Sequence, residues 1–99
     1  MNQGFTDLGT LGGTYSLAYA INNRSVVLGI GRNSVGTDKP FIYLKGWTTM
    51  QDLNNYLPAT AYGQSSWSLV TANNINDAGR IVGWGYHGSA AHAFLMTPQ

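Results

Sequence analysis

The chain has 99 residues, 43% hydrophobic and 9% charged, with a formal net charge of +1 and no cysteine. That length makes one domain or a short array of repeats, and the charge leaves no basic surface for non-specific nucleic-acid binding. Without cysteine there is no disulfide, no thiolate nucleophile and no cysteine metal site.

Polar character comes from Asn, Thr, Ser, Gln and Gly, with Glu absent and Lys scarce. That composition argues against a disordered chain, which needs high charge, and against a helical bundle. The first residues, MNQGFTDLGTLGG, show no basic stretch followed by a long apolar run, so no signal peptide is read there. No apolar run approaches the ~20 residues of a membrane helix, so no membrane insertion is expected.

In chain order, Ser16–Ile21 (SLAYAI) alternates and predicts a strand. Val26–Ile30 (VVLGI) is a compact β-branched run. Lys39–Gly46 (KPFIYLKG) predicts a third strand, with Pro40 at a strand edge. Thr48–Leu53 (TTMQDL) follows a turn at Gly46, and Asn54–Ser66 is a polar connection containing Gly and Pro. Trp67–Ile75 (WSLVTANNI), Arg80–Gly85 (RIVGWG) and Ala91–Thr97 (AHAFLMT) complete the pattern. About seven or eight short strands with turns every ~8–12 residues predict an all-β domain. The connections are short, so neighbouring strands are expected to be antiparallel.

The chain repeats itself. INNRSVVLGIG at Ile21–Gly31 aligns without gaps on INDAGRIVGWG at Ile75–Gly85. FTDL at Phe5–Leu8 matches MQDL at Met50–Leu53, and PFIYL at Pro40–Leu44 matches AFLMT at Ala93–Thr97. Two copies, about residues 5–50 and 51–99, form one β domain. Their length of ~45–50 residues suits antiparallel β-meander repeats resembling propeller blades. A small two-sheet sandwich or a partial barrel is the alternative. The second copy has no closing M-x-D-L segment of its own, and two units are few for a continuous core. Association of copies into a ring is one solution and a compact pair of sheets is the other.

Each copy predicts a tight reversal after its Ile-Asn. Gly79 suits a positive φ there, whereas Ser25 occupies the matching place in the first copy, so that turn is expected either to be more strained or to use a different geometry. The glycines Gly29, Gly31, Gly83 and Gly85 lie in or at the ends of strands. There they signal bulges or close approach of another backbone.

These residues carry a family resemblance. DLGTLGGTYSLAYAINN (Asp7–Asn23), VVLGIG (Val26–Gly31), INDAGRIVGWG and HAFLMTP (His92–Pro98) together resemble the bacterial HAF-repeat family. The family takes its name from the triplet present here as His92-Ala93-Phe94. The first copy departs from it, with Lys39-Pro40-Phe41 in that place and Ser25 for the turn glycine. The chain is similar to the last two repeats of a longer array. The resemblance implies an extracellular or cell-surface β-repeat protein and offers no catalytic residues to carry over.

Chemistry-bearing patterns are sparse. Gly83–Gly88 (GWGYHG) has the spacing of a dinucleotide loop, but no acidic residue follows and no helix is predicted after it. A glycine-rich strand end is the better reading, and no cofactor is expected. His87 and His92 lie on opposite faces if their strand is continuous, so no metal site is expected and His92 is assigned a structural hydrogen bond. No G-x-S-x-G elbow singles out a serine. Asp7 and Asp52 hold equivalent places in the two copies and read as structural. NRS at Asn23–Ser25 fits a glycosylation sequon, a pattern that chance produces often.

The aromatic residues are the more informative set. Trp84 and Tyr86 alternate along one strand and share a face. With Trp67 they are the candidate ligand-binding residues, set against a role in filling thin cores. The expectation is a non-enzymatic structural or binding module whose partner is a protein, a glycan or another copy of itself. A carbohydrate-binding module and a small polysaccharide hydrolase using Asp7 and Asp52 are the alternatives.

Overall fold

The computed structural model describes residues 4–57 and 67–98. Most of the connection read at Asn54–Ser66 therefore lies outside the described residues. The chain is all-β, in two antiparallel sheets, with no closed barrel among the described strands. The first sheet is a four-stranded meander: β1 (Gly12–Ile21), β2 (Val27–Asn33), β3 (Asp38–Tyr43) and β4 (Gln51–Asp52). A short 3-10 turn, Leu53–Tyr56, leads away from it. The second sheet is β5 (Trp67–Ile75), β6 (Ile81–His87) and β7 (Ala90–Met96).

The sequence repeat is a structural repeat. Ala18 opposes Gly29 and Ala20 opposes Leu28 in the first sheet, while Ala72 opposes Gly83 and Asn74 opposes Val82 in the second. Both first strands slip register at the same place, at Tyr19 and at Asn73. The bulge pushes the backbone of the first strand onto the glycine of the second, as the strand glycines predicted. Phe41 opposes Gly29, and Phe94 opposes Gly83.

Alternation along each strand gives each sheet two faces. Leu28, Ile42 and Ala20 of the first sheet meet Leu69, Ala72, Ile75, Ile81, Phe94 and Met96 of the second, with Leu53 between the sheets. Burying a side chain of Leu or Ile size contributes about 1.5–3 kcal/mol. This shared layer therefore holds the two repeats as one body.

The connecting turns match as well. Ser25 N–H donates to Asn22 O at 3.1 Å, and Gly79 N–H donates to Asn76 O at 3.0 Å. Asn22 Oδ1 accepts from the N–H of Arg24 and Val26, and Asn76 Oδ1 accepts from Arg80 N–H. Gly79 has φ 86° and Ser25 has φ 61°. Serine thus occupies the left-handed region that glycine occupies without steric cost. Ser25→Gly is expected to raise unfolding stability by up to about 1 kcal/mol, since relief of that strain exceeds the added chain entropy of glycine. A higher urea midpoint at unchanged slope is the expected readout.

Two local expectations are corrected. Of Thr48–Leu53, which the sequence places among the short strands, only Gln51–Asp52 pairs with β3. Asp52 Oδ1 accepts from Asn54 N–H at 2.8 Å, which turns the chain into the 3-10 segment. Pro40 lies inside β3 and is buried, opposite Ile30. β4 reaches only Phe41 and Ile42, so β3 at Pro40 has a neighbour on one side and loses little from the missing N–H.

Candidate functional site

The outer face of the second sheet is apolar and open. Val82, Trp84 and Tyr86 alternate along β6, and Leu95 on β7 lies opposite Val82. Their relative exposures are 45%, 37%, 45% and 63%. The Trp84 and Tyr86 rings meet edge to face, with centroids 5.6 Å apart. The sequence placed these two on one shared face, and the strand does so. The equivalents of Val82 and Leu95 in the first repeat, Leu28 and Ile42, lie in the core between the sheets.

Trp67 is elsewhere. It is half-buried and packs on the shared core, with its ring stacked on His87 at 4.8 Å and 7°. His92 meets Trp67 edge-on at 6.2 Å and lies 5.5 Å from His87. The strand carrying the two histidines is not continuous. A two-residue loop at Gly88–Ser89, with Gly88 at φ 65°, returns the chain as β7. Gly85 opposes His92 and His87 opposes Ala90, so the two imidazoles come onto neighbouring strands. Among the described residues, the His92 ring packs on Trp67 and His87. No cluster of three or more His, Cys, Asp or Glu side chains that suits a metal occurs among the described residues. The glycine run that resembled a phosphate loop leads into strand β7, where that motif needs a helix.

The chain has four acidic residues, and each carboxylate is occupied within the fold. Asp7 Oδ1 accepts from Gly9 N–H at 2.9 Å, and Asp52 Oδ1 accepts from Asn54 N–H at 2.8 Å. The two equivalent aspartates therefore make the same local bond, to the N–H two residues on. Asp77 Oδ1 accepts from Asn23 N–H at 2.9 Å. Asp38 accepts from Tyr15 Oη at 2.6 and 2.8 Å and pairs with Arg32 Nε at 3.4 Å. Arg32 Nη2 donates to Tyr15 Oη at 3.0 Å. The hydrogen bond with Tyr15 is the main cause that holds the guanidinium pKa above its ordinary value. This triad sits at the far end of the first sheet and is internally neutral.

Sequence reasoning missed the asparagines. Asn54 Oδ1 accepts from Leu69 N–H at 2.7 Å, and its Nδ2 donates to Leu69 O at 3.2 Å. The side chain acts as a one-residue strand that ties the 3-10 turn to β5. Asn22 Nδ2 donates to Asn76 O at 3.1 Å, joining two residues 54 positions apart. The pairing of Asn22 with Asn76 in the repeat alignment was the signal available.

The fold and this face together define a two-repeat β-meander protein with an open aromatic face on its second sheet. Comparison with protein-family models, with curated proteins and with solved structures gives no match.

Proposed function

We propose that this chain is a non-enzymatic structural or binding module of a surface-associated or secreted bacterial repeat protein. It acts through the outer face of its second sheet. The observation that carries the reading is the exposed row Val82, Trp84, Tyr86 and Leu95, while Leu28 and Ile42, the first-repeat counterparts of Val82 and Leu95, lie in the core. A contiguous apolar face of this kind marks an interaction surface. The occupied carboxylates support the non-enzymatic part, and the HAF-repeat resemblance supports the surface location.

Asp7→Ala and Asp52→Ala test the alternative of a hydrolase. Losing a side-chain acceptor at such a turn costs about 0.5–2 kcal/mol. Each variant is expected to lower the unfolding free energy by that much and to change no turnover on a polysaccharide panel. Turnover in the wild type that disappears in a variant of unchanged stability would sink the reading.

A second reading, a carbohydrate-binding module, is favoured by the edge-to-face pair of Trp84 and Tyr86. A sugar ring would lie against such a pair through its apolar face. Tryptophan fluorescence titrated with a glycan panel tests it, with Trp84→Phe separating this ring from the other two. A silent panel removes the reading.

A further inference from the structure

We infer that copies of this chain bind head to tail, the outer face of the second sheet of one copy against the outer face of the first sheet of the next. The Phe5–Leu8 segment of that next copy then serves as a fourth strand beside β7. The inference rests on the interaction-surface reading above and names the partner as a second copy.

The contact proposed between copies already exists once inside the chain. There, the face of the first sheet that carries Leu28 and Ile42 packs on the face of the second sheet that carries Ala72, Ile75 and Ile81. The first-repeat equivalents of that second set are Ala18, Ile21 and Val27. Ala72, Ile75 and Ile81 are buried, at 0%, 9% and 4% exposure. Ala18 and Ile21 are exposed, Ile21 at 64%, and Val27 is half-buried. The chain therefore presents one half of its own internal interface at each end. Val82 and Leu95 border a shallow groove at one end, and Ala18, Ile21 and Val27 line another at the opposite end.

The polar partners repeat too. Inside the chain Asn22 Nδ2 donates to Asn76 O, and Asn23 N–H donates to Asp77 Oδ1. One step further along the array, Asn76 Nδ2 is the donor to Asn22 O of the next copy. Asn76 is exposed, and its Nδ2 has no acceptor among the described residues. Asn23, which stands where Asp77 stands, offers the matching side-chain oxygen to Asp77 N–H.

The strand edge completes the match. β4 lies beside β3 with Asp52 opposite Phe41 and Gln51 opposite Ile42, whereas β7 has no neighbour on its outer side among the described strands. Phe5–Leu8 repeats the β4 sequence, its Asp7 accepts from the N–H two residues on as Asp52 does, and Phe5 is 97% exposed. Laid beside β7 of another copy in the same register, Asp7 falls opposite Phe94 and Thr6 opposite Leu95. Addition of a strand to an open edge is a common recognition mode. A contact between unlike faces propagates until it closes, and rings of about four to eight blades correspond to about two to four copies.

The test is the molar mass of the full chain from micromolar to near-millimolar concentration, by light scattering and sedimentation. The wild type is expected at a multiple of 10.7 kDa. Ile21→Asp blocks one face and Leu95→Asp the other, so each alone is expected to be a folded monomer by circular dichroism. Mixed in equal amounts, they still hold one intact face each and are expected to form a dimer containing one of each. A wild type that is monomeric throughout overturns the inference, as does either folded variant assembling with itself like the wild type. If either aspartate variant fails to fold, separately made Thr6→Cys and Leu95→Cys chains replace the pair, since the chain has no cysteine of its own. Mixing and oxidising them is expected to give a crosslink between unlike chains, and its absence overturns the register. A monomeric wild type leaves the parent reading standing, because that reading falls on a different result, turnover dependent on Asp7 or Asp52.

Discussion

Gly83→Ala is expected to lower the unfolding free energy by about 3 kcal/mol or more, the overpacking range and its upper tail. A Cβ at Gly83 would overlap the Thr71 carbonyl oxygen and lie 2.9 Å from its carbonyl carbon and 3.0 Å from Ala72 Cα. All of these are backbone atoms of a paired strand, so no rotamer change relieves the overlap. Relief requires the bulge in β5 to open, and that strand carries the buried Leu69, Ala72 and Ile75. Gly29→Ala is expected to act alike, since a Cβ there would overlap Leu17 O and lie 2.9 Å from Ala18 Cα. Gly88→Ala is the control. It has a positive φ of 65° but nothing within 4 Å of the added carbon, so only backbone strain of about 1–2 kcal/mol is expected. A domain of this size is stable by roughly 5–15 kcal/mol, so the first two variants remove a large part of the total. Chemical denaturation followed by circular dichroism reads all three. Equal small losses would mean that the strand glycines serve φ freedom and not close approach.

That distinction shows how far the sequence could be read. Trp67–Ile75 was legible end to end, because β-branched and aromatic residues run between turn residues. The paired hairpins were legible because the copies carry Asn22 and Asn76 at matching turns. β1 starts at Gly12, four residues before the predicted Ser16, since Gly12-Gly13 reads as a loop. In the fold, Gly13 lies so near the Arg32 and Asn33 carbonyls that only glycine fits. β4 ends at Asp52 because its carboxylate captures a local N–H, a competition that hydrophobic pattern does not register. That Trp84 and Tyr86 share a face followed from alternation alone. Which face of each sheet is core did not, because Val82 and Leu95 are as apolar as Leu28 and Ile42. The difference arises from what stacks on them, and that is a property of neighbours along the array.

Leu28→Ala and Val82→Ala put that argument to measurement at equivalent positions. Leu28 is fully buried and belongs to the layer between the sheets. Truncating such a leucine costs about 2–5 kcal/mol, the transfer term plus a cavity that the surrounding strands fill only in part. Val82 holds the same place in the second repeat, yet is 45% exposed. Its truncation is expected to cost about 0.5 kcal/mol or less, the range of surface substitutions. Both variants belong in the Ile21→Asp background. Anything that binds the folded chain raises its apparent stability, and a copy docked on Val82 would inflate the second value. With that face of the neighbour blocked, a large loss for Leu28→Ala beside a small one for Val82→Ala assigns the two faces as described. With the block removed, an added loss for Val82→Ala that grows with protein concentration is the signature of a neighbouring copy. Equal losses in the blocked background would show Val82 covered within its own chain, and the assignment of inner and outer faces would have to be reversed.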